Sequence, residues 1–257
     1  MKIGNRTFDG GTHVMGILNL TPDSFYAGSR VSERDILLKA ERMIEEGAEL
    51  LDVGAQSTRP GHIPVSPEEE ISRLAPIRQL RSHFEIPISV DTYFSSVAEF
   101  ALSEGADLIN DVWGLQYDEK MAETIARHRA AVCIMHNQNG TEYSDFWGDI
   151  EAFLQKSLVI AKRAGISPDR ICLDGGIGFG KTREQNFELL NGYEKLSSLG
   201  YPLLLGVSRK SMFGGNVEDR LAPTLKATEL ATRKGILFVR VHDVKENKEA
   251  IARANRN

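Results

Sequence analysis

Apolar and polar positions follow two rhythms along this chain. Short apolar, β-branched runs recur, each closing on a polar residue: VMGILN to Asn19, ELLD to Asp52, PISVD to Asp91, DLIND to Asp111, AVCIMH to His136, RICLD to Asp174, PLLLGVS to Ser208 and LFVRVH to His242. Unbroken apolar runs of this length predict strands covered on both faces. Amphipathic stretches rich in Ala, Glu, Lys and Arg separate them. In SERDILLKAERMIEEG, Ile36, Leu37, Lys39, Ala40, Met43 and Ile44 trace one helical face, Ser32 can cap it and Gly47 ends it. SPEEEISRLAPIRQLRS places Ser66 as N-cap and Pro67 at the first helical position. SSVAEFALSEG, DEKMAETIARHR, IEAFLQKSLVIAKRAG, REQNFELLNGYEKLSSLG, VEDRLAPTLKATELATRKG and VKENKEAIARAN complete the set, with Pro223 marking a kink or a new helix start. Eight strand–helix units predict a parallel sheet. No linker or composition break divides the 257 residues. The pattern therefore suits one α/β domain over residues 1–257, a single (β/α)₈ TIM barrel, better than a doubly wound sheet with a second domain.

Composition changes little in this picture. With 41% hydrophobic and 26% charged residues the chain is of ordinary globular make-up. A net charge of -5 carries no nucleic-acid footprint, although a local cluster of Arg and Lys can still receive an anion. The start, MKIGNRTFDGGTH, lacks the apolar core of a signal peptide, and no run approaches the roughly 18 apolar residues of a membrane span. A cytoplasmic protein without membrane or nucleic-acid partners is expected. Cys133 and Cys172 lie inside apolar runs and read as buried, reduced thiols.

In such a barrel the active site forms at the C-terminal ends of the strands. Those ends and their loops supply Asn19, Asp52, Thr58, Arg59, Asp91, Asn110, His136, Asp174, Lys210, Arg240 and His242. A single Asp after a strand is commonly a turn former or helix cap, but polar ends on all eight strands point to a shared site. Arg240 and His242 alternate with Val239 and Val241, so a strand's period of two puts both on one face. An Arg inside a barrel is costly without an anion, which favours an anion site there. From Gly175 to Thr182 the stretch LDGGIGFGKT also fits the phosphate-binding G-x-x-x-x-G-K-[ST] pattern. An NTPase would need a downstream strand ending in a magnesium-binding Asp, and neither GVS nor VRVHD matches.

MGILNLTPDSF, LLDVGAQSTRPG, SVDT, LINDVWG, LDGGIGFGK, GVSRKSMFG and RVHDV together resemble the dihydropteroate synthase family, in the family's order from Val14 to about Val244. Two departures stand out: Gln56 where the family usually has Glu, and Gly175 where it usually has Pro. The second completes the phosphate-loop pattern by coincidence. The resemblance implies a transferase that joins a dihydropterin-methyl diphosphate to p-aminobenzoate. It implies a pterin site of Asp91, Asn110, Met135, Asp174, Phe179 and Lys210. Asn19, Arg59, Arg240 and His242 would hold diphosphate, with Asn19 also the protein ligand of Mg2+. Thr58, Pro60 and Ser211 would frame p-aminobenzoate. Lys210, Asp91, Arg240 and His242 are the implied catalytic groups, and loops 21–31 and 56–65 the implied covers. A homodimer is the expected assembly. A pterin-binding relative without synthase activity and a methyltetrahydrofolate-dependent methyltransferase domain are the alternatives. Lys181 reads as a solvated lysine pointing toward the next helix.

Overall fold

The computed structural model describes residues 1–20, 33–56 and 65–256. Its eight parallel strands are β1 (His13–Asn19), β2 (Leu50–Gly54), β3 (Ile88–Asp91), β4 (Leu108–Asp111), β5 (Ala131–Met135), β6 (Ile171–Asp174), β7 (Leu204–Leu205) and β8 (Phe238–Val241). β1 to β6 pair in sequence order, β7 pairs with β8, and β8 also pairs with β1. A parallel bridge from Leu173 to Leu203 joins β6 to the start of β7 and brings the sheet round into a barrel. The predicted fold is therefore the observed one. The seventh strand is shorter than PLLLGVS suggested. Its chain leaves the ladder after Leu205 and turns at Arg209, which holds a left-handed φ of 53°.

Side chains alternate between two cores, as a two-residue period requires. Val14, Leu18, Leu51, Val53, Val90, Ile109, Val132, Ile134, Leu173 and Val239 face outward, under the helices. Met15, Leu50, Leu108, Ala131, Cys133, Cys172, Leu204 and Phe238 face inward and fill the lower barrel. A short N-terminal hairpin, Lys2–Ile3 with Arg6–Thr7, delivers Ile3 and Phe8 to plug that end. Both thiols are buried and free, as expected. In the upper half the inward positions are polar. The register sets Asn19 level with Gly54, Gly54 with Asp91, and Asp91 with Asn110.

The helices follow their sequence signals, with two breaks. They are α1 (Glu33–Glu45), α2 (Pro67–Leu74), α3 (Ile77–His83), α4 (Ser95–Ser103), α5 (Met121–Arg127), α6 (Phe146–Ala164), α7 (Arg183–Asn191), α8 (Leu221–Arg233) and α9 (Val244–Ala254). Ser66 caps α2 through the Glu69 amide, and Gly165 ends α6 at a φ of 87°. The stretch expected as one helix from Ser66 splits at Pro76, which cannot donate a helix hydrogen bond. The stretch after Thr182 splits at Gly192, beyond which Tyr193–Leu199 form 3₁₀ turns. Pro223 sits in the first turn of α8, where a proline is tolerated. No helix among the described residues is long and apolar enough to cross a membrane.

Phe238 is fully buried at the barrel floor, its ring edge-on to Phe8 with centroids 5.3 Å apart. Phe238→Ala should cost about 3–5 kcal/mol, since the enclosed floor cannot collapse on the void. Urea unfolding measures this, and a change below about 1 kcal/mol would contradict a packed floor.

Candidate active site

Arg240 projects from β8 into the upper barrel. Its Nε donates to Asp52 Oδ2 at 2.5 Å and its Nη2 to Asp91 Oδ2 at 3.0 Å. Asp52 is fully buried and also accepts from the Ser89 hydroxyl. The anions that offset this arginine are thus the protein's own carboxylates. Nη1 makes no hydrogen bond to the described residues, so part of the donor fork remains for a ligand. Burial pushes the Asp91 carboxyl up, against the pull of Arg240. Its Oδ1 is buried without a partner. Asn110, one strand over, also makes no side-chain hydrogen bond among the described residues.

Asp174 ends β6. Its Oδ1 accepts from the Gly176 amide at 2.7 Å and from the Tyr193 hydroxyl at 2.8 Å. Its Oδ2 has no partner among the described residues. Burial raises the carboxyl above its ordinary range, with Lys210 opposing. Lys210 reaches back from the loop after β7, donates to the Ile177 carbonyl and lies 4.7 Å from the centre of the Phe179 ring. Burial pulls its ammonium down to about 8, while Asp174 favours the charge. Met135 clusters with Tyr93 and Val112, and Phe179 packs against that cluster. The mouth therefore holds apolar faces beside carboxylates and a cation, a combination that suits a flat polar heterocycle.

The glycine-rich loop after Asp174 turns through Gly176, Gly178 and Gly180, at φ of 72°, 85° and 55°. A side chain at Gly176 would start 1.9 Å from the His136 carbonyl oxygen. Here one expectation is corrected: Lys181 is only 8% exposed. Its Nζ bonds His136 Nδ1 at 2.9 Å and donates to the carbonyls of Gly176 at 3.1 Å and Phe179 at 3.0 Å. Burial and the facing Lys181 hold the His136 imidazole down at about 3, neutral and able to accept. Burial likewise draws Lys181 down to about 7, against the attraction of Asp174. The lysine ties its own loop together from inside. Thr182 then opens α7 with a capping box to Gln185.

Gln56, the first of the two departures, is buried. Its amide donates to Glu70 Oε2 at 2.9 Å, which ties it to α2, and its side chain also meets Tyr93. Burial pushes the Glu70 carboxyl up to about 8, with Asp91 adding repulsion against the effects of Thr92 and Arg73. Glu70 carries a proton at neutral pH.

The structure brings Asp91, Asn110, Met135, Asp174, Phe179, Lys210, Arg240 and Asn19 to one end of the barrel. His242 follows β8, with Ser208 Oγ 2.9 Å from its Nδ1. Ser211 is exposed, one residue beyond Lys210. Thr58, Arg59 and Pro60, loop 21–31 and most of loop 56–65 lie outside the described residues. Asp111, by contrast, is the turn former that the simpler reading assigns to a strand-end Asp. Its carboxylate accepts from the amides of Trp113 and Leu115. Asp52 as Arg240's holder, Tyr193 and Glu70 went unread, because each acts through a contact distant in sequence, and Lys181 was misread because its partner His136 lies 45 residues away.

Comparison with known proteins agrees with this geometry. The family model described as "Pterin binding enzyme" matches residues 15–242. The chain is 48% identical over 259 residues to the dihydropteroate synthase of Clostridium beijerinckii, covering 97% of this chain and 96% of that protein. It superposes with a TM-score of 0.94 on the dihydropteroate synthase of Clostridium difficile solved in the presence of pteroic acid, at 44% identity and 97% coverage of both chains. The Xanthomonas albilineans dihydropteroate synthase with 4-aminobenzoic acid gives a TM-score of 0.91 at 37% identity, over 96% of this chain and 93% of that one.

Two outcomes follow from the buried groups. Lys181→Ala should destabilise the chain by about 2–4 kcal/mol, because two carbonyls and an imidazole lose their buried partner. Denaturant unfolding checks it, and a parent-like midpoint would return Lys181 to the solvent. Glu70 gives a pH signature. Between its ordinary 4.5 and about 8 the folded chain keeps a proton that the unfolded chain has lost. Stability from this group is thus whole below 4.5, falls as pH rises through that window, and is gone above it. Glu70→Gln should flatten the decline in unfolding midpoint between pH 5 and 8.5, and an unchanged decline would refute the assignment.

Proposed function

We infer the reaction from a plain premise: the chain belongs to the pterin-binding enzymes and, among them, to the dihydropteroate synthases. It is a transferase that condenses 7,8-dihydropterin-6-ylmethyl diphosphate with p-aminobenzoate to 7,8-dihydropteroate and diphosphate. The observation that carries this reading into the site is a set of polar groups with no hydrogen-bond partner among the described residues: Asp91 Oδ1, the Asn110 side chain and Asp174 Oδ2. They stand beside the apolar faces of Met135 and Phe179.

In this proposal Asp174 Oδ2 accepts from the pterin's amino and ring N–H groups, and Asn110 matches an edge of mixed donors and acceptors. Asp91 Oδ1 takes a further ring N–H. Lys210, already over the Phe179 ring, donates to a ring acceptor on the pterin's face. Nη1 of Arg240, His242, Asn19 and Arg59 receive the diphosphate. Its bond to the methylene breaks with the electron pair leaving on oxygen. The arylamine nitrogen then forms the new C–N bond and gives up one proton to water. No protein nucleophile is needed, so the residues contribute charge and position. Thr58, Pro60 and Ser211 frame the p-aminobenzoate, and loops 21–31 and 56–65 exclude competing water.

Magnesium fits this site. Among the described residues no group of three His, Cys, Asp or Glu side chains could hold a metal alone. Asn19 offers one hard oxygen at the rim, which suits an ion that keeps water and phosphate oxygens as its other ligands. When bound, the ion would neutralise charge on the leaving diphosphate. The cytoplasm, which suits the buried free thiols Cys133 and Cys172, and a homodimer, carried by the family resemblance, complete the reading.

The test is turnover of the pterin diphosphate with p-aminobenzoate, followed by product mass and diphosphate release. Asp174→Asn should lower kcat/KM for the pterin substrate by at least about tenfold, since its new amide N–H would face the ligand's donors. Absence of product from the parent protein would overturn the synthase reading, and a parent-like Asp174→Asn would overturn the pterin site.

A further inference from the structure

The second departure from the family's pattern, Gly175, is tied to a buried phenol. Tyr193 opens the 3₁₀ segment after α7 and is 1% exposed. Its hydroxyl lies 2.8 Å from Asp174 Oδ1 and 2.5 Å from the Leu204 carbonyl oxygen. It accepts from the Gly175 amide at 2.8 Å. A proline at 175 has no N–H to donate there. It would also crowd its neighbours, which would have to give by a few tenths of an ångström. A Cβ at this position would lie 3.0 Å from Leu196 Cδ1, 3.1 Å from Tyr193 Cε2 and 3.2 Å from Leu189 Cδ1. Glycine therefore supplies both the donor and the space that let the phenol ring reach Asp174.

We propose that Tyr193 is a positioning residue for the pterin-gripping carboxylate, holding Asp174 Oδ1 so that Oδ2 is presented to the ligand, with Gly175 as its matched partner. This rests on the pterin-site reading above. The hydroxyl has one proton and two acceptors, the carboxylate and the Leu204 carbonyl. An ionised Asp174 draws that proton by a charge-assisted bond, and a protonated Asp174 releases it to the carbonyl. Tyr193 thus favours the ionised, acceptor-only form that a pterin's N–H groups require. The same bond stops the carboxyl from rotating, because the Gly176 amide holds Oδ1 from the other side.

The groups facing Asp174 all bear on its ionisation. Lys210 and Lys181 favour the charge from the loops after β7 and β6, and the Tyr193 bond and Gly176 amide do the same. Arg240 faces it from β8 and Cys133 from β5. Burial opposes them. Removing the phenol hydroxyl leaves the cations in place and shifts the balance toward the protonated acid.

Tyr193→Phe keeps the ring and removes the hydroxyl. With 6-hydroxymethyl-7,8-dihydropterin as calorimetric probe, the variant should bind about tenfold more weakly near neutral pH, the usual scale for a lost bond to a charged group. In turnover, the loss should fall mainly on KM for the pterin substrate, and the acid limb of kcat/KM should move to higher pH. A thermal melt checks that the fold persists. If Tyr193→Phe unfolds, Gly175→Pro and Gly175→Pro/Tyr193→Leu replace it. The single variant should bind the probe weakly, and the double variant should recover part of the loss. The proposal is overturned by unchanged affinity and acid limb in Tyr193→Phe, or by parent-like binding in Gly175→Pro. A parent protein that does not bind the probe would instead sink the pterin-site reading itself.

Discussion

The mouth of this barrel depends on how Arg240 is neutralised. A guanidinium inside a barrel loses its hydration, and the loss is recovered only by close, well-oriented acceptors. Asp52 and Asp91 provide them from β2 and β3, and Ser89 fixes the far oxygen of Asp52. Without the arginine, two carboxylates would face each other in a confined space and take up protons. Without the carboxylates, the arginine would turn to the solvent. Together they hold the upper barrel polar and ordered while the floor stays apolar. Among the described residues the same arrangement leaves Asp91 Oδ1 and Arg240 Nη1 without a hydrogen-bond partner, so the pair that stabilises the interior also presents an acceptor and a donor to whatever enters.

A second charge group sits across the barrel. Asp174, Lys210 and Lys181 are all buried enough for desolvation to oppose their charged forms; the carboxylate and each lysine favour one another's charge, while Lys210 disfavours that of Lys181. Beside Asp91, Gln56 keeps a further charge away from the buried Glu70. A glutamate in its place would meet Glu70 at hydrogen-bond distance and stand near Asp91, and such a pair must share a proton. The amide makes the same bridge without that conflict. The departure from the family's usual Glu thus alters a buried support of α2, one layer behind the residues that face the mouth.

The frame of the molecule was legible because strand and core position share one signal, and each apolar run marks both at once. Strand ends were legible for the same reason: the residue after the run must sit at the rim. The period of two put Arg240 inward, and the cost argument asked for a negative partner there, read as a bound anion. The partners the fold supplies are the carboxylates of Asp52 and Asp91, and Asp52 stands 188 residues away from Arg240 in sequence. No local pattern encodes that pairing. Tyr193 was hidden in a stretch with helical periodicity, where an aromatic residue reads as packing. Its meaning comes from Gly175, eighteen residues earlier, through a hydrogen bond that only the folded chain forms.

LDGGIGFGKT shows most clearly why spacing alone could not decide. In a phosphate-binding loop the glycines let backbone N–H groups converge on an anion, and the lysine extends toward the phosphates. Here the glycines serve a close approach of another kind. Gly176 packs against the His136 carbonyl, and Gly180 against the carbonyl of Gln138, where a side chain would start 2.5 Å away. The loop is pressed onto the end of β5, and Lys181 curls beneath it to reach His136, Gly176 and Phe179. Its ammonium is spent on the imidazole and the two carbonyls. The Thr182 hydroxyl caps α7 through the Gln185 amide, the bond it would surrender to bind a metal. Both motif side chains are spent on the loop's own backbone. What the loop presents outward is Phe179 and, through Gly176, a fixed Asp174. The same run of glycines that cradles phosphate in one fold therefore becomes, in this one, the hinge that carries an aromatic face to the barrel mouth.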